Sequence, residues 1–498
     1  MELEFMNKPI DCLRQAVWEV KNEEQTQDLK LSETMPDIGR VLGSWGQVLI
    51  RGKEWRGSSV NVSGGVLVWV LYEPEDGSAL QTVETWVPFA LRWDFPQTKQ
   101  DGFMLINCLL RGVDARSVSA RKLLIRTMVC AGGEALEPVK CDLFMPGELP
   151  QDVQLLKKSY PVCIAAEAGE KAFTLEDELV LPSNMPDVGK LLSCVVTPRI
   201  RESKIVAGKA VFRGTVNIHL LYLGVDGIVY TRDFDLPFSQ YSELDKEYGE
   251  GVKLRVQISV TDLEPELQGD GRLRIKCGLL GQYVVYDCPL VEVVEDAYST
   301  RRKVSVKLQT VPLLQLLEHT GWDEDVQVTM PNAGGKSVDV VMLCGHPTAG
   351  RTEDGIRLHN DGTFQMLYYD QDGKLQSGGM GWSSEQELNI DSRCRMMAMC
   401  SAEPSEQAIM GAGEASLSGR LSWEALTLTD SGFDAVCGLE IGEESLSPED
   451  RPSLVLCRAD HENLWSIAKR CGSTVEAIQK ANGLEGEPEN GKMLLIPL

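Results

Sequence analysis

The sequence predicts a multidomain, mainly β protein: three tandem antiparallel β-rich domains, each a sandwich or an open barrel with short helices, then a small βααβ module. Three observations support this fold class. A short motif recurs at domain-sized spacing, and β-branched and aromatic runs end at Asp-Gly turns, as in β-hairpins. From Leu454 onward, the pattern changes to two short helices between two strands.

The repeat is visible in a five-residue motif and a tyrosine that follows it. Met35-Pro-Asp-Ile-Gly39 returns as Met185-Pro-Asp-Val-Gly189, and a tyrosine stands 37 residues after each methionine, at Tyr72 and Tyr222. An Asp-Gly pair follows each tyrosine at the same offset, and a less regular third copy has its tyrosine at Tyr368. The steps between the tyrosines, 150 and 146 residues, are too long for solenoid repeats and indicate tandem domains.

This spacing divides the chain into five segments. We expect β-rich domains at 1–150, 151–305 and 306–441, an acidic linker at 442–453, and the C-terminal module at 454–498. Strands are expected at 66–72, 103–110 and 123–129 in the first domain and at 216–222, 254–260 and 273–285 in the second. Short helical or mixed segments are expected near the start of repeats, at Leu13–Val20 and Leu313–His319.

The C-terminal module has the signals of a β-α-α-β order. Strands are expected at Leu454–Cys457 and Met493–Ile496. Asn463 can cap a first helix that ends at Gly472, because asparagine accepts from free helix N–H groups and glycine adopts the left-handed conformation. Ser473 begins a Ser-x-x-Glu capping box, which predicts the second helix.

The module resembles the LysM family. The matching segments are Leu464–Arg470, Val475–Ile478, Ala481–Leu484 and Leu495–Pro497. LysM modules generally bind N-acetylglucosamine polymers, such as peptidoglycan or chitin, between the first strand–helix loop and the second helix–strand loop. His461-Glu462-Asn463 stands where the family usually has Gly-Asp-Thr, which adds bulk where a sugar would approach. The altered loop favours a protein as the bound partner, with glycan binding as the alternative.

The three repeats resemble a family too. Met-Pro-Asp-hydrophobic-Gly followed by a Tyr-x-x-x-Asp-Gly hairpin is similar to the SPOCS domains of endospore-forming bacteria, and three such units before a LysM module resemble the SipL-type family of spore coat morphogenesis proteins. The resemblance implies a non-enzymatic scaffold, made in the mother cell and recruited to the forespore surface and spore coat. Its implied partners are the spore coat morphogenetic ATPase, held by the LysM module, and other coat proteins. The alternative is a peptidoglycan-binding protein of the spore cortex or cell wall.

The docking surface is expected on exposed loop and helix residues of the module. The candidates are His461, Glu462, Asn463, Trp465, Lys469, Asn482 and Leu484. Two of them have a structural alternative. Trp465 can cover the small core of the module, and Lys469 can be a solvated charge that the helix dipole favours near the helix end.

Charge and composition exclude several classes of function. A formal charge of −25 without a basic stripe argues against nucleic acid and anionic membranes as partners. No window reaches the roughly 18 apolar residues of a membrane span, and the first residues show no signal-peptide pattern. Most of the fourteen cysteines, such as Cys108, Cys130, Cys194 and Cys437, lie in apolar sequence and are interpreted as buried thiols in a reducing compartment. A cytoplasmic location follows.

No catalytic residue, metal site or cofactor is predicted. Asn332–Ser337 resembles the end of a phosphate-binding loop, but Met330 stands where its first glycine should be. Cys344, His346 and His359 are the best metal candidates, without the spacing of a metal motif. An enzyme with a LysM anchor is the third hypothesis, and it predicts a polar cleft with perturbed titratable groups.

Overall fold

The computed structural model describes residues 2–95, 102–182, 184–268, 272–391, 393–411, 413–444 and 452–498. Over these residues the chain is almost entirely antiparallel β-structure, with two helices close to the C-terminus. The predicted mainly β fold class, with a βααβ module at the end, is confirmed.

The first repeat contains the strands β1 to β9. Their bounds are β1 Glu2–Glu4, β2 Met6–Asn7, β3 Ile10–Lys30, β4 Ile38–Arg56, β5 Ser59–Pro74, β6 Gln81–Asp94, β7 Phe103–Ser119, β8 Lys122–Cys141 and β9 Phe144–Met145. The strands β4, β5 and β6 pair in chain order as a three-stranded meander. A second sheet has the order β7-β8-β3, so the long first strand of the repeat pairs with its long last strand.

The second repeat has the same order. Its strands are β10 Val153–Pro161, β11 Ile164–Leu179, β12 Val188–Val206, β13 Lys209–Gly224, β14 Val229–Glu243, β15 Lys253–Leu267, β16 Leu273–Asp287 and β17 Leu290–Ser299. The meander is β12-β13-β14, and the second sheet is β15-β16-β11. The strands β10 and β17 pair with each other beyond this sheet and extend the long two-stranded ribbon that β11 and β16 form. The corresponding ribbon of the first repeat is the pair β3–β8.

The third repeat keeps this order with a longer ribbon. Its strands are β18 Arg302–Ala333, β19 Lys336–Cys344, β20 Thr348–Arg351, β21 Ile356–Tyr369, β22 Leu375–Leu388, β23 Arg395–Pro404, β24 Ile409–Met410 and β25 Gly413–Glu444. The meander is β19-β21-β22, and β23-β25-β18 is the second sheet. The corresponding ribbon is the pair β18–β25. The C-terminal module follows as β26 Leu454–Arg458, α1 Leu464–Cys471, α2 Val475–Asn482 and β27 Met493–Pro497.

In the first repeat, the two sheets pack face to face around a common core. Val62 and Val68 of the meander and Ile106 and Ile125 of the second sheet are all buried in one hydrophobic cluster. Because alternate residues of a strand point to opposite faces, each sheet contributes one apolar face to this core. This arrangement is the sandwich alternative of the predicted fold class.

A glycine opposite an aromatic ring occurs at the same level of all three meanders. The directly opposed pairs are Gly64 and Phe89, Gly214 and Phe238, and Gly362 and Trp382. A Cβ on any of these glycines would come within 3.0 Å of both a backbone oxygen and the opposing ring. The ring therefore covers the glycine, and the third repeat keeps this feature although its Met-Pro-Asp motif is lost.

The ribbons of the three repeats contact one another. The strand β11 pairs with β3 at Ala165 and Leu13, which joins the second sheets of the first two repeats into one six-stranded sheet. The strand β1 pairs with β25 from Glu2 opposite Glu440. One buried cluster takes side chains from all three ribbon ends, among them Phe5, Val153, Val294, Val436 and Leu439. The repeats therefore pack against one another through apolar contacts.

The predicted helical segments at Leu13–Val20 and Leu313–His319 are wrong, because both lie inside long strands. The first belongs to β3 and the second to β18, which pair along their lengths with β8 and β25. A β-bulge at Gln15/Val17 and another at Leu316/Glu318 shift the alternation by one residue. The resulting apolar spacing approximates that of a helix and misled the sequence interpretation.

Two further expectations from the sequence concern the acidic linker and the cysteines. Of the predicted linker at 442–453, Gly442 to Glu444 end β25, whereas residues 445–451 lie outside the described residues. Cys163 and Cys288 form a disulfide, and the other twelve cysteines are free. No helix among the described residues is long and apolar enough to span a membrane.

Candidate docking site in the C-terminal module

The two helices of the module begin and end at identifiable caps. The side chain of Asn463 accepts from the N–H of Ser466 at 2.8 Å, and Gly472 ends α1 in the left-handed conformation, as predicted. The second helix is capped by Thr474, whose hydroxyl accepts from the N–H of Ala477 at 3.1 Å. The capping box predicted at Ser473 is therefore wrong by one residue.

The hydroxyl of Ser473 has a different hydrogen-bond partner. Its side chain is buried, and its hydroxyl donates to the carbonyl of Pro497 at the end of β27. This bond ties the turn between the helices to the last strand. The hydroxyl of Ser473 is directed to the last strand, and the side chain of Thr474 accepts from the first turn of α2 instead.

The first loop is closed against the second by hydrogen bonds. His461 has a φ of 55°, a conformation that the glycine usual in the family would adopt without strain. Its N–H donates to Oδ1 of Asn490 at 3.0 Å, and its Nε2 lies 3.1 Å from Nδ2 of the same amide. The N–H of Leu464 donates to Glu487 at 2.7 Å. These side chains bridge the two loops between which a LysM module binds glycans.

Three further candidates have partners inside the module. Glu462 pairs with Arg470 at 2.5 Å. The amide of Asn482 clasps β27, because it donates to the carbonyl of Leu495 at 2.6 Å and accepts from its N–H at 2.7 Å. Leu484 packs against the module core. Each of the three therefore contributes to folding, whatever it binds.

Trp465 and Lys469 dock the module onto the second repeat. Both lie on α1 and hold the carboxylate of Asp296 in β17, Trp465 through Nε1 at 2.8 Å and Lys469 through Nζ at 2.7 Å to each oxygen. Tyr298, two residues along β17, packs edge-on against Trp465 at 4.7 Å and donates to the carbonyl of Ser473 at 2.7 Å. This face of the module is thus occupied within the chain.

The electrostatics of Asp296 agree with this docking. Burial alone would raise the pKa of the Asp296 carboxyl, but hydrogen bonds from Lys469 and Trp465 lower it below its ordinary value. Tyr298 is only 4% exposed and belongs to the core of the module itself. The sequence interpretation missed both residues, since they lie in another repeat and no local pattern connects them with the module.

The metal candidates do not come together. The Nε2 of His346 lies 2.9 Å from the carbonyl of Asn107, and burial lowers the pKa of this histidine to about 4. Burial raises the pKa of the Cys344 thiol well above its usual value, which keeps it protonated. His359 lies near Glu385 instead. Across the described parts of the chain, no group of three or more potential ligands is placed to bind a metal.

An enzyme would need a polar cleft, but the polar side chains at one cavity of this structure are already hydrogen-bonded to one another. A cavity of about 290 Å³ between the first and third repeats is lined by Trp45 and Asp339. Asp339 is already held by the Nε1 of Trp45 and the Nε2 of His219, each at 2.9 Å. Because the other nitrogen of His219 meets Asp233 at 2.9 Å, the imidazole has no free nitrogen to act as a base.

The secondary structure explains the resemblance of Asn332–Ser337 to a phosphate-binding loop. A phosphate-binding loop leads into a helix whose N-terminus meets the phosphate. Lys336, the lysine of the Gly-Lys-Ser segment, instead begins the strand β19. The segment is therefore part of the third repeat and not a nucleotide site.

Two family models match the chain. Residues 187–268, from the start of β12 through β15, match the family described as SipL, SPOCS domain. Residues 461–497 match the LysM domain. Searches of curated proteins and of solved structures found no match to the chain.

The fold and the matches together define the class of protein. The chain is a mainly β, multidomain protein whose matched domains are of a binding type. A SPOCS domain in the second repeat and a LysM domain at the C-terminal end are consistent with a SipL-type, sporulation-related protein.

Proposed function

We propose that the protein is a non-enzymatic scaffold of spore coat assembly and that its LysM domain docks the coat-basement ATPase. The observation that carries the proposal is the closed loop pair of the LysM domain. His461 and Asn490 are hydrogen-bonded to each other across the two loops between which LysM modules bind glycans, and we infer that these side chains obstruct the usual sugar groove. A protein partner does not need that groove.

The charge distribution supports a dedicated docking role for this domain. Residues 454–498 carry five Lys or Arg and six Asp or Glu, so the domain contributes one of the 25 net negative charges. The rest of the chain therefore carries nearly all of the acidity. A nearly neutral domain can approach an acidic protein surface that the remainder of the chain would repel.

We extend the SPOCS assignment to the first and third repeats, with the boundaries 1–150, 151–305 and 306–441. The support is structural, since all three repeats have the same strand order and the same glycine–aromatic pair in the meander. In this proposal the repeats bind other coat proteins, and the protein is made in the mother cell cytoplasm and recruited to the forespore surface.

The test compares two chains for binding to the purified ATPase. The full chain is expected to bind, whereas a chain that ends at Ser453 should lose binding while keeping its β-sheet circular dichroism. Equal binding by the two chains would contradict docking through the LysM domain.

Peptidoglycan binding is the second candidate, because a LysM domain is present. The hydrogen bonds between His461 and Asn490 across the two loops predict weak peptidoglycan binding by the natural chain. His461→Gly should remove the bridging imidazole without strain, since glycine tolerates the φ of 55°. We expect this variant to sediment with purified peptidoglycan more than the natural chain does. Strong sedimentation of the natural chain, above that of a chain ending at Ser453, would favour the glycan as its ligand.

A further inference from the structure

The two-stranded sheet of the LysM domain has an apolar outer face. Strand alternation directs Leu494 and Ile496 inward, where both are fully buried against the helices. Their neighbours point outward, and so do the alternate residues of β26. The outward apolar side chains are Leu454, Leu456, Met493 and Leu495, which are 50%, 63%, 55% and 39% exposed. We call these four residues the outer sheet face.

The outer sheet face is a continuous patch. Leu456 and Leu495 are directly opposite each other in the sheet, and Met493 is opposite Arg458. Single exposed leucines are ordinary on protein surfaces, whereas contiguous apolar patches mark interaction sites. Of the sixteen large hydrophobic side chains that are exposed among the described residues, four lie in this sheet of ten residues.

Two cations that have no partner among the described residues border one end of the face. Arg458 ends β26 on the outward side, and Lys492 precedes β27; both are exposed. Neither side chain has a hydrogen bond or an ion pair to any described residue. By contrast, the neighbouring cations of α1 are engaged, Lys469 with Asp296 and Arg470 with Glu462. The free positive charges at this edge fit a carboxylate on a partner.

We propose that the outer sheet face is the docking surface for an amphipathic helix of the coat-basement ATPase, with a carboxylate at one end of its apolar stripe. The inference rests on the proposed function and adds the surface and the chemistry of the contact. The exposed apolar side chains form two rows on adjacent strands, and the apolar stripe of an amphipathic helix can pack along such rows. Arg458 and Lys492 then set the direction of the helix.

A second copy of the chain fits this surface less well. Two chains with a charge of −25 each repel one another. A stable dimer buries about 800 Å² on each partner, which four side chains on ten residues do not supply. The outer sheet face also lies on the side of the sheet away from α1, so a partner can bind while Trp465 remains docked on Asp296.

The experiment measures binding of the full chain to the purified ATPase by biolayer interferometry. Leu456→Asp and Leu495→Asp should each weaken binding at least tenfold, because a charge in the apolar contact loses its hydration. Arg458→Glu should weaken binding several-fold more than Arg458→Lys. Ile409→Asp, a change at a 74% exposed residue of the third repeat, is the matched control and should leave affinity unchanged.

The outcomes separate the surface from the proposed function. If the natural chain does not bind the ATPase, the proposed function fails. If it binds and both aspartate variants bind equally well, the outer sheet face is not the contact and only this inference fails. A monomer–dimer shift in analytical ultracentrifugation that Leu456→Asp abolishes would assign the face to a second copy. Loss of peptidoglycan binding in the same variant, with ATPase binding intact, would assign it to a glycan.

Folding of the variants is checked directly. The three substituted side chains in the LysM domain are exposed, so thermal unfolding midpoints should match that of the natural chain within a few degrees. Leu456→Ser, which adds no charge, provides a second variant. It should weaken binding less than Leu456→Asp, and unchanged binding by both would overturn the inference.

Discussion

His219 joins the second and third repeats through two carboxylates. Its ring nitrogens lie 2.9 Å from Asp233 and 2.9 Å from Asp339, and Asp339 also accepts from Trp45 of the first repeat. Burial lowers the pKa of the imidazole, but the two carboxylates outweigh burial and raise it to about 10. One residue from each repeat therefore meets at a single charged group.

Stability is expected to fall with alkaline pH because of His219. Its folded pKa of about 10 exceeds the ordinary 6.5, so the stabilisation is fully present below pH 6.5 and is lost as pH rises through 10. The loss approaches about 1.4 kcal/mol per pH unit between these values. Denaturant unfolding of the natural chain and of His219→Gln measures it. Parallel pH profiles for the two chains would show that His219 contributes nothing.

Asp296 is expected to control how firmly the LysM domain docks. Asp296→Asn removes the charge that Lys469 neutralises, which should weaken docking by about 1 kcal/mol and speed hydrogen exchange in α1 several-fold. Since the pKa of Asp296 is lowered, its contribution is present above the ordinary carboxyl pKa of 3.8 and is lost as pH falls below it. Asp430→Asn, which breaks an ion pair with Arg395 in the third repeat, is the control and should not change exchange in α1.

At the scale of elements, each meander depends on a glycine under an aromatic ring. Gly362→Ala should lower the free energy of unfolding by about 2 kcal/mol, because the added Cβ meets both Trp382 and a backbone oxygen of β19. Gly147→Ala is the matched control, since nothing lies within 4 Å of its Cβ. Chemical denaturation compares the two variants. Equal midpoints would show that the meander accommodates a side chain at this position.

At the scale of the whole molecule, the LysM domain has a core of its own. Among the described residues that are buried in this core, only Tyr298 comes from outside the module. A chain that ends at Ser453 should therefore keep the main unfolding transition of the repeats and lose a smaller one. Differential scanning calorimetry distinguishes this result from loss of the main transition, which would mean that the domain holds the repeats together.

Local patterns in the sequence were sufficient to predict the strand segments and most of the caps. Alternating runs ending at Asp-Gly predict the hairpins, and Asn463 and Gly472 begin and end the first helix for reasons confined to one or two turns. The bulges at Gln15/Val17 and Leu316/Glu318 could not be seen, because a bulge depends on the partner strand. The seven candidate site residues lie in the segment that matches the LysM domain, and all seven remain predictions as binding residues.

The sequence by itself determined the class of fold, the threefold repeat and the LysM domain, since each rests on spacing within a segment. Only the tertiary structure decided that a long early strand of each repeat pairs with a long late one, as β3 does with β8. The same is true of the contact that Trp465 and Lys469 make with Asp296. The tertiary structure also showed that His461 of the first loop is hydrogen-bonded to Asn490 of the second and that Leu454 and Leu456 are exposed. The physical reason is that these features depend on residues tens to hundreds of positions apart, and no local pattern records which distant segments pack together.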